Sequence, residues 1–560
     1  MNRKRLKKWM QLCAMTLALT LLAACGGAAG SSVVSEDAGA SSLPAASGTA
    51  VDGPGWKQDT SPITFTMLIA DSSFTQKWGE DPVSRAVTEK TGVTLDISIP
   101  NTTDSSDLLA TLIATNDLPD IILASSEQAW ADFVDGGLVY SLDELAQKYD
   151  PEFYNVVSEE IVNWHRHADG NLYWYPVYAW DSEHIEEYGE YMTGYYSYFV
   201  RKDIYEGIGS PDLRTPEGFL DALRKVKEKY PTINGQPVQM LGTYEFGETG
   251  SWTFDELLQN CLNIPYEVDN KWIDRRTDPE YRKWIGVFRQ AYEEGLISET
   301  MMVDTWDQTK ERLARGEYFS MLGMQDDFTT TFAALAAEDP NSTYIPVDPP
   351  ANAALDDPLF TAGSIKGWLK FGISKNCEDP ERAIRFLTYL LSEEGQKDFY
   401  LGIEGETYET VDGVDQLKPE VLAAEREGWG SVRKYGAGTT WHVFKQPNIV
   451  AQWQYQNVDD EEVTVMTPFK EYFRRVGCVP MLYTSGVSLD ANTPENDIQN
   501  QMNLKFGELL PKMIMAESEE ALDALWKEYD DYAESIDYQS ALDALTEKML
   551  ANKKKLGMIS

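Results

Sequence analysis

Four histidines, 91 carboxylates and the three cysteines beyond residue 25 are the groups in this 560-residue chain that could do chemistry. His165 and His167 with Asp169 put metal-type donors within five residues, while His184 and His442 stand apart. Beside Asp169-Gly170 the pattern reads as a solvated loop rather than a metal centre. Cys261, Cys377 and Cys478 are odd in number, widely spaced and without a Cys-x-x-Cys pair. They read as buried free thiols, not as a disulfide framework or a zinc site. Two carboxylates would suffice for glycoside hydrolysis, but 91 of them make any one pair uninformative by spacing. G-x-S-x-G, H-E-x-x-H, P-loop and G-x-G-x-x-G patterns are all absent. These residues point to no enzyme and call for no cofactor.

Composition narrows the class further. The chain has 48 basic and 91 acidic residues and a net charge of −43, so it lacks the clustered Lys and Arg that bind phosphate backbones. Nucleic acid is excluded as a partner. A hydrophobic fraction of 42% with 12% aromatic is too rich for a disordered chain. The length exceeds what one core normally serves.

The first 24 residues read as a secretory signal: a basic start with Arg3, Lys4, Arg5, Lys7 and Lys8, then the apolar run Trp9–Leu22. Leu22-Ala23-Ala24-Cys25 resembles the bacterial lipobox, which implies a diacylglyceryl group on Cys25 and attachment to the membrane through that lipid. Cleavage takes five positive charges and no negative ones off the −43 and leaves −48. Residues 25–58, rich in Gly, Ala and Ser, read as a flexible tether suited to a Gram-positive surface.

Behind the tether, strand and helix signals alternate. Ile63–Ala70 reads as a buried strand, a helix follows near Asp81–Thr91, and Val93–Ile99 is a second strand. A helix near Asp107–Thr115 leads to a third strand at Leu118–Leu123, and Ser141-Leu-Asp-Glu144 has the form of a capping box. Thr215-Pro216 and Asp379-Pro380 open helices, and the chain from about Glu495 is mainly amphipathic helix. Strands alternating with helices predict an α/β protein with mostly parallel sheets. No apolar run of 18 follows the signal.

Several segments, in this order, carry a resemblance. They are Leu118-Pro-Asp-Ile-Ile122 with Gly137-Leu-Val and Ser141-Leu-Asp-Glu-Leu145, then Asp169-Gly-Asn-Leu-Tyr-Trp-Tyr-Pro176. Phe199-Val-Arg-Lys-Asp-Ile-Tyr-Glu-Gly-Ile-Gly209, Thr215-Pro-Glu-Gly-Phe219, Glu294-Gly-Leu-Ile297 and Ala314-Arg-Gly-Glu317 follow. The most specific are Ile373-Ser-Lys-Asn376, Pro380-Glu-Arg-Ala383, Ser392-Glu-Glu-Gly395 and Gly402-Ile-Glu-Gly-Glu-Thr-Tyr408. Together the chain resembles the extracellular solute-binding proteins (family 1, LipO-like lipoprotein branch) of carbohydrate ABC importers.

The resemblance implies a two-lobe, type II periplasmic-binding-protein fold whose cleft closes on ligand and is then recognised by the permease transmembrane subunits. The lobes would be interleaved: 59–176 and 351–410 in the N-terminal lobe, 177–350 and 411–560 in the C-terminal lobe. The crossings would fall near Tyr175–Ala179 and Pro346–Gly363. Some relatives hold calcium in a loop after the helix that is here Pro216–Lys229. This chain has Tyr230-Pro-Thr-Ile-Asn-Gly-Gln-Pro237, without a carboxylate, so no metal is expected there.

Ligands of open α/β sheets sit at the carboxyl ends of strands. A sugar needs flat aromatic faces beside carboxylates, amides and hydroxyls. The aromatic candidates are Trp130, Trp174, Tyr175, Tyr178, Trp180, Trp252, Trp368 and Trp441. The polar ones are Asp71, Ser125, Ser126, Glu245, Gln325 and Asp326. The strong negative charge favours a neutral oligosaccharide over a uronate or sulfated one. The expected protein is a monomer, extracellular, lipid-anchored and not an enzyme. A glycan-active hydrolase and a peptide-binding protein are the alternatives.

Overall fold

The computed structural model describes residues 54–559 apart from 101–104, 193, 195, 428, 455–463, 481, 491 and 492. The signal, Cys25 and most of the tether lie outside the described residues. Among the described residues no helix is long and apolar enough to cross a membrane.

Strands β1 (Ile63–Ile69), β2 (Val93–Ser98), β3 (Ile121–Ala124) and β4 (Tyr175–Pro176) come first. A second group follows as β5 (Ser197–Arg201), β6 (Gln239–Gly242), β7 (Tyr318–Gly323) and β8 (Tyr344–Pro346), and the chain then returns as β9 (Lys370–Ile373). Two sheets result, in the orders β2-β1-β3-β9-β4 and β8-β5-β7-β6. In the first, β1 runs parallel to β2 and β3, and β9 is antiparallel to β3 and β4. In the second, β7 is parallel to β6 while β5 is antiparallel to both β7 and β8, so the two sheets are mixed rather than mostly parallel as the alternation predicts. The central strands β3 and β7 are buried along their whole length, as sheets covered by helices on both faces require. The third strand starts at Ile121 rather than Leu118, because Pro119 has no N–H for the ladder.

Local chemistry sets the helix starts. Asp81, Thr215 and Asp379 each cap the first turn through a side-chain oxygen, with proline at the first helical position. Ser141 Oγ likewise accepts the Glu144 N–H. Helix Pro82–Thr91 ends on Gly92 at φ +74°, where a Cβ would lie 2.2 Å from the Thr60 carbonyl oxygen. Only glycine fits there.

The three C-terminal helices, Pro494–Ile514, Glu519–Ser535 and Tyr538–Lys555, join the core of the second sheet, with Phe506, Leu509 and Trp526 beside Tyr281 and Trp284. The stretch before them does not follow the expected plan of 411–560 in one lobe. Trp441 and Phe444 pack on Phe399, and Gln446 Nε2 donates to the Pro176 carbonyl at 3.0 Å. Helix Pro447–Gln454 lies on helix Glu393–Tyr400 of the first lobe. From Phe469 onward the side chains enter the second core. The lobes are therefore also joined beyond Gln454, and Thr361–Ala362 pairs in parallel with Val479–Pro480.

The segment 230–237 is a tight hairpin, Thr232–Ile233 against Gln236–Pro237, turned by Asn234 and Gly235 at φ +51° and +80°. This is the Asn-Gly two-residue turn. The three folded-region cysteines are free, Cys261 and Cys377 buried and Cys478 partly so.

His165 is not solvated. It ends helix Glu159–His165, is buried, accepts from Trp174 Nε1–H at 3.1 Å through Nδ1, and donates through Nε2 to the Ile365 carbonyl at 3.2 Å. Accepting at Nδ1 while donating at Nε2 needs the neutral ring, and burial holds its pKa down at about 3. Below the unfolded value of about 6.5 the unfolded chain takes up a proton that the native ring refuses. Native stability is thus expected to fall with acidification from pH 6.5 towards 4, by about 1.4 kcal/mol per pH unit from this residue. Urea melts of His165→Gln should lack that component; identical slopes would refute it.

Candidate functional site

At the carboxyl ends of β1 and β3 the first lobe presents one open aromatic platform. Trp368 is 39% exposed, meets Tyr178 edge-on at 6.0 Å and stacks on His442 at 6.0 Å with 10° between planes. Its position is set by a clamp between two chain segments. Trp368 N–H donates to the Val177 carbonyl and Val177 N–H to the Leu369 carbonyl, both at 2.8 Å. Gly367, at φ +66°, allows this approach, since a Cβ would lie 2.5 Å from the Val177 oxygen. Tyr178 itself adopts φ +58°, a conformation that costs a bulky residue about 1–2 kcal/mol. Its N–H is tied to the Lys445 carbonyl at 3.0 Å.

Charged groups surround the platform. Lys445 Nζ lies 5.8 Å over the Tyr178 ring and donates to Gln454 Oε1 at 2.8 Å. Burial pulls its pKa down to about 8 against the opposing pull of Glu425. Burial also lowers the His442 pKa, with its bond to the Thr439 carbonyl and the charge of Asp71 acting the other way. Glu127 receives Lys370 at 2.6 Å and Lys366 at 3.3 Å. Burial would raise its pKa, but these two ammonium groups hold it below the usual range.

The second lobe offers a matching face at the carboxyl ends of β6 and β7. Trp252 is 43% exposed and meets Tyr196 at 5.3 Å and Tyr244 at 5.7 Å, both edge-on. Tyr244 packs on Trp306 at 4.2 Å and hydrogen-bonds Asp327. Ser251 Oγ donates to the Tyr244 carbonyl, and Tyr244 N–H donates to Thr253 Oγ1, both at 2.9 Å. A C-terminal helix buttresses this loop: a Cβ on Gly507 would sit 2.1 Å from the Glu248 carbonyl oxygen. Asp326 is open to solvent yet crowded by protein, which raises its pKa, Asp327 adding to the rise and Lys470 opposing it.

The structure sorts the sequence candidates sharply. Trp368, Tyr178, Trp252 and Asp326 lie on the two faces, as does Asp71, whose carboxylate accepts from Ser73 N–H and acts on His442. Ser125 is exposed beside them and its carbonyl receives Lys370 Nζ at 3.4 Å. Glu245 is exposed and accepts the Trp306 N–H at 3.2 Å.

Seven candidates do other work. Trp130 is wholly buried, with Nε1–H donated to the Ala124 carbonyl at 3.0 Å. Tyr175 packs on Phe153. Trp180 sits among Ile185, Met192 and Ala362, and Trp441 among Phe74, Trp78 and Phe399. Gln325 is buried and donates to the Gly194 carbonyl at 2.7 Å. Ser126 caps helix Glu127–Asp135 through its hydroxyl. Trp174, among the wider aromatic candidates, packs half-buried on Trp130. Sequence reasoning selected the stretch Tyr244–Trp252 but missed His442, Lys445, Tyr196 and Trp306; for the first two, the run of aromatic and charged residues around Trp441–Lys445 was the available signal.

The family described as bacterial extracellular solute-binding protein matches residues 68–397, more than half of the chain. A comparison with curated proteins gave no match. Among solved structures, an HMO-binding ABC-transporter-associated solute-binding protein from Bifidobacterium longum infantis shares 15% identity and a TM-score of 0.61, covering 88% of this chain and 99% of its own. The alginate-binding protein AlgQ2, solved without calcium ion, shares 16% and 0.57 over 87% and 98%. The S. pneumoniae ABC-transporter substrate-binding protein FusA, in complex with kestose, shares 13% and 0.58 over 88% and 100%. These likenesses show the two-lobe fold, and the family match shows descent: this chain belongs to the bacterial extracellular solute-binding proteins.

Proposed function

We propose that the protein is the ligand-capturing component of a carbohydrate ABC importer. It takes a neutral oligosaccharide between its lobes and delivers it to the permease transmembrane subunits, without catalysis. A lipid on Cys25 holds it, as a monomer, on the extracellular face of the membrane. The observation that carries the reading is the pair Trp252 and Trp368, one on each lobe at strand carboxyl ends. They are the two tryptophans left exposed among the described residues, at 43% and 39%. Large flat rings held open to water, one on each of two α/β lobes, suit the C–H faces of sugar rings. Three structures of like fold are named for an alginate, an HMO and a kestose ligand, which supports the same reading. Ligand shifts the lobes towards closure only by its differential affinity for the closed state, so both platforms must contribute.

A thermal-shift and calorimetric screen of the protein against oligosaccharides, peptides and metal ions tests this. A sugar should raise Tm by mass action, and Trp252→Ala and Trp368→Ala should each weaken its binding by about tenfold or more. Neither change should lower the Tm of the free protein appreciably, since both rings are exposed. Binding of peptides without any sugar, or release of reducing ends, would sink the proposal.

A further inference from the structure

We propose that the second lobe carries a carbohydrate site of its own, a recess that binds a neutral saccharide without lobe closure. It stands apart from the interlobe platforms and does not depend on them. Helix Trp252–Cys261 turns Phe254, Leu257, Leu258 and Cys261 into the second core. At about 100° per residue, Asp255, Glu256 and Gln259 then fall on the opposite face. That polar face is roofed by the hairpin Glu267–Val268 with Lys271–Trp272 and by the C-terminal helices, which leave a cavity of about 480 Å³ over it. Asp269 and Asn270 turn the hairpin at φ +54° and +60°. Trp272 N–H donates to Thr546 Oγ1 at 2.9 Å and Lys553 Nζ to Glu267 Oε1 at 2.7 Å, which holds the hairpin on helix Tyr538–Lys555. The volume lies within the roughly 300–1,000 Å³ of small-ligand sites. Its walls come from residues 255–276 and 484–545, and neither Trp252, Tyr244 nor any residue of the first lobe lines it. A ligand confined there has no differential affinity for the closed state and so does not drive closure.

The lining suits a polyol. Tyr266 and Trp272, half-buried and 5.6 Å apart, supply two aromatic faces. Gln259, Asn496 and Asn503 bring amides, which both donate and accept. Arg275 is 7% exposed, lies 4.2 Å over the Tyr266 ring and donates to the Ile264 carbonyl at 3.1 Å. Glu256 and Asp255 act on it through space, and Asp255 also pairs with Arg276 at 2.7 Å. Both signs of charge are thus present, and neither an anion nor a cation is selected. Among the described residues no three carboxylate, histidine or cysteine groups converge as a metal ion requires. A separate observation points to a missing acceptor. Asn260, 1% exposed, takes Arg275 Nη2 on its Oδ1 at 2.6 Å, while its Nδ2 has no partner among the described residues. A buried amide donor seldom stays unpaired, and a sugar hydroxyl at this wall gives it an acceptor.

Calorimetry on the full-length chain with neutral gluco-, manno- and fructo-oligosaccharides tests this, with small-angle scattering to report closure. A saccharide should still bind the Trp252→Ala/Trp368→Ala double variant, whose two interlobe rings are gone, and should leave its radius of gyration unchanged. Trp272→Ala should weaken that binding about tenfold or more. Ser488→Trp, which fills the recess from an exposed position, should abolish it at unchanged free-protein Tm, and it decides the matter if Trp272→Ala loosens the hairpin. No saccharide bound by the double variant, compaction on binding, or binding that Ser488→Trp leaves intact would overturn the recess; a sugar that the unaltered protein binds through Trp252 and Trp368 would then still uphold the import reading. Binding lost with the recess variants alone, and indifferent to Trp252 and Trp368, would uphold the recess and defeat the import reading.

Discussion

Trp130→Ala is expected to destabilise the protein by about 3–5 kcal/mol, read as a shift in the urea midpoint at constant slope. The ring is wholly buried between Phe133 and Trp174, at centroid distances of 5.3 Å each. Gly372 of β9 comes so close to it that a Cβ would lie 2.5 Å from the indole. Removing the side chain opens a cavity bounded by a helix and the central strands, which regular secondary structure cannot collapse to fill. It also leaves the Ala124 carbonyl without the Nε1–H that meets it at 3.0 Å. The contrast with Trp368→Ala is the useful part: that change should weaken ligand and spare stability, whereas this one should do the reverse. A midpoint shift worth less than about 1 kcal/mol would mean that the indole is not the keystone of the first-lobe core.

Asp255→Ala should cost a similar amount in the second lobe, about 3–5 kcal/mol. Its carboxylate is buried and accepts four bonds: from Gln259 Nε2 and Tyr281 Oη at 2.6 Å each, and from Arg276 at 2.7 and 2.9 Å. Arg276 also lies 4.0 Å over the Phe506 ring and donates to Asn503 Oδ1 at 3.3 Å. One carboxylate thus ties helix Trp252–Cys261 to helix Pro279–Glu293 and to the C-terminal helix Pro494–Ile514. Without it Arg276 is a buried cation without its main counter-charge, and the guanidinium cannot neutralise itself by losing a proton. Asp255→Asn keeps the shape and should fall between the two. Because Trp252 opens the same helix, ligand affinity should weaken along with stability. A stable Asp255→Ala variant with unchanged affinity would show the network to be dispensable.

The helix starts were readable because capping is local. Asp81-Pro82, Thr215-Pro216 and Asp379-Pro380 satisfy the first-turn N–H groups within four residues, so no distant segment needs to be known. The same holds for the Asn234-Gly235 turn, whose two positive φ values follow from residue type. The apolar run Ile63–Ala70 announced a buried strand with equal economy, and the structure has it at Ile63–Ile69. Lobe membership was less legible. The aromatic stretch around Trp441 carries no mark of which sheet it covers, and it lies on the first lobe through contacts with residues such as Phe74, more than 300 positions earlier.

By itself, then, the sequence determined the element types, the alternation that makes two α/β sheets, and the family to which the chain belongs. The choice among aromatic residues was left to the tertiary structure. Trp130 and Trp368 are the same residue type at one edge of the first sheet, Trp130 just after β3 and Trp368 just before β9, yet one is sealed in the core and the other stands open on His442. Residue type sets how much burial would stabilise a side chain. Whether another surface is there to bury it depends on segments that arrive from elsewhere in the chain: β9 over Trp130, and the crossing strand at Val177 holding Trp368 outward.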